Sequence, residues 1–312
     1  PNVDWQSSSA NNIVLVESGK QYKVLTLTDC FEYDEKTYNY YGSYSFTGTK
    51  IEQAVVTAIL NVTTDDKVVV DMIKGNNEQD SSSLKTLLEN NAYQVNEVSL
   101  ATGDFDSNAK IAIMYAPSVD LDEKIVEKLS TWLSNDGKYG RSLIYVPTAD
   151  MGEMPNLDDF LKEWGMSIDR GYVFETDEST LVSASSPYAF TVSYGDYYKD
   201  NLKNSKIPVV VSESHAVNIT DENTAHALLK TSDKAGVLPI DADKNWDYKD
   251  AVSGNGENVA AEGVMTNEDK NSSRVIIFGS YVMFSDTIMK YNSFNNSAYF
   301  MNVINTIADK ED

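Results

Sequence analysis

Three short apolar runs punctuate residues 65 to 146: Val68-Val69-Val70-Asp71-Met72-Ile73, Ile111-Ala112-Ile113-Met114-Tyr115 and Leu143-Ile144-Tyr145-Val146. Between them lie amphipathic helical segments. Strands with this little polar alternation cannot keep one face in water, so they suit a mostly parallel sheet covered by helices on both faces. A fourth run, Arg274-Val275-Ile276-Ile277-Phe278-Gly279-Ser280, belongs to the same sheet by its composition. The expected class is therefore α/β.

Open sheets of this class bind ligands outside the carboxyl ends of their parallel strands. Here those ends carry Lys74, Asn76, Asn77 and Glu78 after the first run, Pro117 and Ser118 after the second, and Thr148 after the third. Ser280 follows the fourth run, and Thr231 and Ser232 join them if their strand aligns alongside. The ten residues predict a shallow crevice of hydroxyls, amides and few acids. Such a lining suits a small polar ligand or a peptide better than covalent catalysis.

The 312 residues suffice for one large α/β domain or two smaller ones. The charge balance is unusual: 25 basic against 48 acidic residues give −23. That surface repels nucleic acid and anionic headgroups, which excludes both as direct partners. One cysteine, Cys30, rules out an internal disulfide. No apolar run approaches the ~18 residues that cross a bilayer. The chain opens at Pro1 without an initiator Met, which reads as a piece of a longer protein.

Residues 1–62 read as an N-terminal β segment and a helix packing on the core, with 63–175 as the first part of the α/β core. An inserted β-rich excursion covers 176–223, and 224–312 complete the core. Within the first segment, Asn12–Val16 and Tyr22–Leu27 predict a hairpin. Thr49 predicts the cap of a helix whose apolar face is Ile51, Ala54, Val55, Ala58 and Ile59. Helices are also expected around Leu84, Leu87 and Leu88, from Leu121 to Leu133, around Leu157 to Trp164, and from Tyr299 to Ile307. Ile168 to Phe174 reads as a single strand. The tyrosines at 33, 38, 40, 41 and 44 form either packing or a contact surface.

Residues that carry chemistry are few. His215 and His226 are eleven residues apart and lack metal-ligand spacing. Cys30 has no histidine within 180 residues to act as its base. No nucleophile elbow, phosphate loop or zinc-helix motif occurs. Asp120, Asp122 and Glu123 read as helix N-terminal acids. The run Asp241 to Asp247 lacks the central Gly and terminal Glu of a calcium loop. Asp71, inside a strand, is either a site residue or a paired structural carboxylate. No cofactor and no metal are called for.

Several segments in order resemble the gliding-motility-associated ABC-transporter auxiliary family. They are Ser45-Phe46-Thr47-Gly48-Thr49-Lys50 before a helix, then Val68–Ile73 ending in Gly75-Asn76-Asn77-Glu78, and the strand–Pro–helix run Ile111 to Leu133. Leu157–Ile168 with Trp164-Gly165-Met166, Leu228-Leu229-Lys230-Thr231-Ser232, and Arg274–Ser280 followed by Asn295–Asn302 complete the likeness, which spans residues 13–310. The family's Glu after Phe-x-Gly is Thr49 here, and its Gly-His-Gly-Glu has lost the His.

The resemblance implies a flavodoxin-like sheet, as in class I glutamine amidotransferases, without their catalytic Cys. It implies a non-enzymatic accessory or binding domain at the extracytoplasmic face of a bacterial membrane, in a parent protein anchored outside these residues. Its partners would be the permease and ATPase subunits of an ABC-type export system. Two alternatives stay open at this stage. One is a degenerate amidotransferase- or hydrolase-like enzyme using Asp71 and Glu78. The other is a cell-surface glycan- or peptide-binding module presenting tyrosines such as Tyr194, Tyr197 and Tyr198.

Overall fold

The computed structural model describes residues 13–33 and 44–310, except 244, 253, 290 and 292. The chain divides into two units, Pro1–Val68 with Thr86–Gln94, and Val69–Lys85 with Val95–Asp312.

In the first unit, β1 (Val14–Ser18) and β2 (Gln21–Leu25) form the expected hairpin, with Gly19 turning the chain at φ 59°. After a single helical turn, β3 (Phe31–Tyr33) pairs antiparallel with β4 (Phe46–Thr49). The helix Ile51–Thr63 follows. It departs from the sequence reading in two ways. Lys50, not Thr49, holds the N-cap position and offers no side-chain cap, while Thr49 Oγ1 accepts from Ile51 N–H at 3.5 Å. Ala54, Val55 and Ala58 turn inward onto Leu25 and Cys30, whereas Ile51 and Ile59 stand 44% and 46% exposed. The small core that the hairpin offers accepts only a narrow stripe of the helix, and the wider apolar face expected from periodicity exceeds it. Tyr33 meets Tyr44 edge-on at 5.1 Å, so these two rings pack together. Tyr38, Tyr40 and Tyr41 lie outside the described residues.

The second unit is built on one sheet. Its parallel part comprises β5 (Val69–Ile73), β6 (Gln94–Val98), β7 (Ala109–Tyr115), β8 (Ser142–Val146) and, after a long excursion, β18 (Ser272–Phe278). They lie in the order β6-β5-β7-β8-β18. Counted along the chain this is 2-1-3-4-5, the flavodoxin-like order. The expected α/β, flavodoxin-like fold is the one that the chain adopts.

The excursion is longer than the expected 176–223 and contributes β9 (Met166–Ile168), β10 (Tyr172–Phe174), β11 (Leu181–Ser183), β12 (Ser186–Tyr194), β13 (Val209–Ser212), β14 (Val217–Ile219), β15 (Ala225–Lys230), β16 (Gly236–Leu238) and β17 (Asn258–Thr266). Of these, β17, β15, β12 and β11 extend the sheet beyond β18 as antiparallel neighbours, and β13 pairs with β12. The single strand expected over Ile168–Phe174 is two. β9 pairs with β14 and β10 with β16, separated by a turn in which Asp169 Oδ1 accepts from Gly171 N–H at 2.8 Å.

Helices cover both faces, as the unalternating strands require. On one face Ile125, Leu129, Trp132 and Leu133 of the helix Glu123–Ser134 join Leu157, Phe160 and Leu161 of Pro155–Glu163 over Ala112, Leu143, Tyr145, Val275 and Ile277. On the other, Phe278 meets Phe284, Tyr299 and Phe300 within 6.5 Å, placing the helix Asn296–Ile307 there. The helix ends follow the sequence cues. Asp122 caps Glu123–Ser134 through Lys124 N–H, and Asn135 ends that helix in the left-handed region at φ 48°. Asp120, expected to serve the same helix, caps the next one: its oxygens accept from Asn156 and Leu157 N–H.

Gly263 of β17 is a place where two layers touch closely. A Cβ there would stand 2.3 Å from the Trp164 carbonyl oxygen, so the backbone of the Pro155–Glu163 layer must move to admit one. Gly263→Ala is therefore expected to lower unfolding stability by about 1–3 kcal/mol. Urea denaturation checks this, and an unchanged midpoint would contradict it.

Candidate functional site

The switch point of a 2-1-3-4-5 sheet lies between strands 1 and 3, here β5 and β7, where the loops leaving their carboxyl ends diverge. In this chain the two loops are bonded to each other. Asn76 O accepts from Ser118 and Val119 N–H at 3.1 and 3.2 Å, and Ala116 O accepts from Gln79 N–H at 3.2 Å. Asn77 Nδ2 donates to Ser118 Oγ at 2.6 Å, and Ser118 Oγ donates to Asn77 O at 3.1 Å. Below them Ala116 N–H reaches Val146 O at 2.7 Å, tying the lip to β8.

This geometry bends the backbone hard. Gly75, Asn77 and Ala116 all have positive φ, at 116°, 57° and 49°. Gly accepts such values freely and Asn tolerates them, but alanine pays a penalty of about 1–2 kcal/mol. Non-glycine residues held this way cluster where surrounding bonds over-determine the backbone. Glu78 supplies part of that restraint. Its carboxylate accepts from Gly75 N–H at 3.0 Å, Asn76 N–H at 2.9 Å and Asn76 Nδ2 at 3.2 Å, filling the concavity of backbone donors with the chain's own anion. Lys74 Nζ donates to Ser81 Oγ at 2.9 Å. The convergence expected of Lys74, Asn76, Asn77, Glu78, Pro117 and Ser118 is therefore present, as a closed lip. Asn76 and Pro117 are buried within it; Asn77 and Ser118 are exposed, and Val119 beside them is 54% exposed.

The other four expected residues do not line this crevice. Thr148 and Ser280 follow β8 and β18 on the same edge but are 5% and 1% exposed. His215, from the excursion, fills the space between their strands. Its Nδ1 lies 2.9 Å from Gly171 O and its Nε2 3.0 Å from Thr148 O, with the ring fully buried and stacked on Tyr172. Its own backbone N–H donates to Gly279 O at 2.8 Å. Gly279 is obligatory there, since a Cβ would sit 2.3 Å from His215 O. Ser280 Oγ donates to Ser212 O at 2.5 Å and is used as structure.

Thr231 and Ser232 follow β15, four strands from β7. At ~4.8 Å per strand they stand about 19 Å along the edge, out of reach of Asn77 and Ser118. They serve a separate knot around Glu175. That carboxylate is 1% exposed and accepts from Thr176 N–H, Asp177 N–H, Ser232 N–H and Ser232 Oγ. Glu257 N–H donates to Thr231 Oγ1 at 2.7 Å.

Two catalytic or recognition ideas lose their geometry. Asp71 is fully buried in β5 and its carboxylate accepts from Asp106 N–H at 2.7 Å and Asn96 Nδ2 at 3.1 Å, toward the loop that enters β7. Burial raises its pKa against the pull of those two bonds. Glu78 is committed to the lip at the other end of the strand, so the two carboxylates share no pocket. The tyrosines of residues 194–198 form no platform either. Tyr194 donates to Ile207 O and packs on Tyr299, and Tyr198 is held by Glu262 at 2.6 Å. Tyr197, at 48% exposed, stacks on His226 instead. His226 Nε2 stands 3.0 Å from the buried Glu262.

Periodicity alone gives no sign of the partners that close the edge. His215, Tyr172 and Glu175 come from the excursion, and Tyr115 OH donates to Tyr281 O across 166 positions. Burial, with smaller effects from Tyr281 and Asp80, raises the Tyr115 phenol well above its ordinary value, so it stays a donor.

No protein-family model matches this chain, and no curated protein matches it. Among solved structures, it is similar to the mmIFT52 N-terminal domain, with 14% identity, a TM-score of 0.56, and 78% of this chain and 98% of that one covered. The two share a fold. Weaker likenesses extend to a glutamine amidotransferase from Thermotoga maritima (7% identity, TM-score 0.46) and PurLQS from the same organism (11%, 0.39). Each covers 78% of this chain and 100% of that chain.

In either neutral tautomer His215 donates to one of the two carbonyls it lies against, Gly171 O or Thr148 O, and a buried acceptor left without a donor costs about 1–3 kcal/mol. His215→Ala is expected to destabilise the chain by at least about 2 kcal/mol in urea unfolding. An effect below a few tenths would contradict the role assigned to the ring.

Proposed function

We propose that this chain is a non-enzymatic binding domain that acts as an accessory module of a membrane ABC-type transport system, on the extracytoplasmic face. Its partners on this reading are the permease and ATPase subunits, and its parent protein carries the anchor. The ordered motifs from Phe46 to Asn302 support the family assignment. One observation carries the binding role: the switch-point lip commits Glu78, Asn76 and Ser118 to holding backbone, and presents Asn77, Ser118 and Val119 on a rigid rim. Groups engaged in this way are poorly placed to move protons, and a fixed rim lowers the ordering cost of docking a partner. Among the described residues no helix is long and apolar enough to cross a membrane, so on this reading insertion belongs to other segments or subunits.

The test is capture of the full-length parent from detergent-solubilised membranes of its native cells, followed by mass spectrometry. Recovery of an ABC permease and ATPase is expected, with Val119→Asp lowering their yield at least about tenfold, which corresponds to ~1.4 kcal/mol. Recovery of the parent without either subunit would overturn the proposal.

A further inference from the structure

A groove of about 630 Å³ opens at the amino ends of β7 and β8, the edge of the sheet opposite the lip. Its floor is Trp132, 5% exposed, with the half-buried Phe105 stacked on it at a centroid distance of 4.5 Å. The Trp132 indole N–H finds no acceptor among the described residues. A buried donor without a partner is uncommon and points to a missing acceptor.

Arg141 closes the same groove. Its guanidinium lies 5.4 Å from the Trp132 ring and gives one N–H to Trp132 O at 2.9 Å. The chain has three arginines. Arg170 pairs with Asp158 and Arg274 with Glu262, but Arg141 has no carboxylate within ion-pair distance among the described residues. In a chain this acidic, an arginine left without a carboxylate beside an unanswered indole N–H is a prepared place for one. The rim carries both signs: Asp136 and Glu127 are exposed along it, with Lys124 and the Asp104-paired Lys128 beside them.

We propose that this groove binds the zwitterionic unit of an amino acid, its carboxylate on Arg141 and the Trp132 indole N–H, its cationic end toward Asp136 and Glu127, and an apolar side chain against Phe105. The indole nitrogen is fully covered, so a ligand reaches it only when a neighbouring side chain moves aside.

The experiment is a ¹⁵N NMR titration of the chain that follows the indole cross-peak assigned to Trp132 by its loss in Trp132→Phe. The probes are L-phenylalanine, L-phenylalanine amide, 3-phenylpropionate and Gly-Gly-Phe. A saturable shift with L-phenylalanine is expected, at least tenfold weaker with L-phenylalanine amide, 3-phenylpropionate and Gly-Gly-Phe, and weakened in Arg141→Gln. If L-phenylalanine alone shifts the peak, with 3-phenylpropionate tenfold weaker, the ligand is a free amino acid. If Gly-Gly-Phe or 3-phenylpropionate matches it, the cationic end plays no part and the proposal is overturned. An indole peak unmoved by every probe at millimolar concentration, or moved equally by the amide, would overturn the proposal. The titration of the unaltered chain decides even where a variant fails to fold.

Discussion

β5, β7, β8 and β18 are buried on both faces, so their backbone N–H and C=O groups must be paired within the sheet or by what caps its ends. Inside the sheet the ladder does this, from Ile73–Met114 across to Ile277–Tyr145. At the carboxyl edge the ladder stops while burial continues. The chain answers each stretch of that edge with a local device: Glu78 and Asn76 between β5 and β7, His215 between β8 and β18, Glu175 beyond β15. The need to satisfy a buried strand edge thus dictates what the edge can offer a ligand. Over most of its length it offers nothing, because the polar groups that an open crevice would display are already bonded.

The apolar runs made the sheet legible. A run such as Ile111-Ala112-Ile113-Met114 is readable as a doubly covered strand because it has no alternation to hide. Helix ends were legible where a single residue type carries the geometry, as at Asp122. What escaped reading depends on contacts far apart in sequence. The excursion's strands are short, and their pairing on β18 is set by packing against the sheet. His215 reaches Thr148 across 67 positions, and no pattern near either residue announces the other. The break at Asp169-Arg170-Gly171 was hidden for the opposite reason: the flanking residues look like strand on both sides, and only the different partners of β9 and β10 separate them.

The candidate site was half legible for the same cause. Residues that follow a strand directly, Asn76, Asn77 and Ser118, converge because the fold forces their strands together. Thr231 and Ser232 share the edge but not the crevice, since edge membership says nothing of strand order. Trp132 falls within the helix expected from Leu121 to Leu133, and nothing in the sequence around Arg141 marks it; their juxtaposition appears only when the loop before β8 folds back.

The claim on which the rest turns is that the switch-point lip is closed and rigid. Native-state hydrogen exchange tests it most directly, at the amides of Gln79, Ser118 and Val119. Their bonds to Ala116 O and Asn76 O predict slow exchange, on the order of a hundredfold or more below an unprotected loop, reflecting an opening cost of ~3 kcal/mol. Exchange at the unprotected rate would mean that the loops part freely, and that the edge is an open crevice after all.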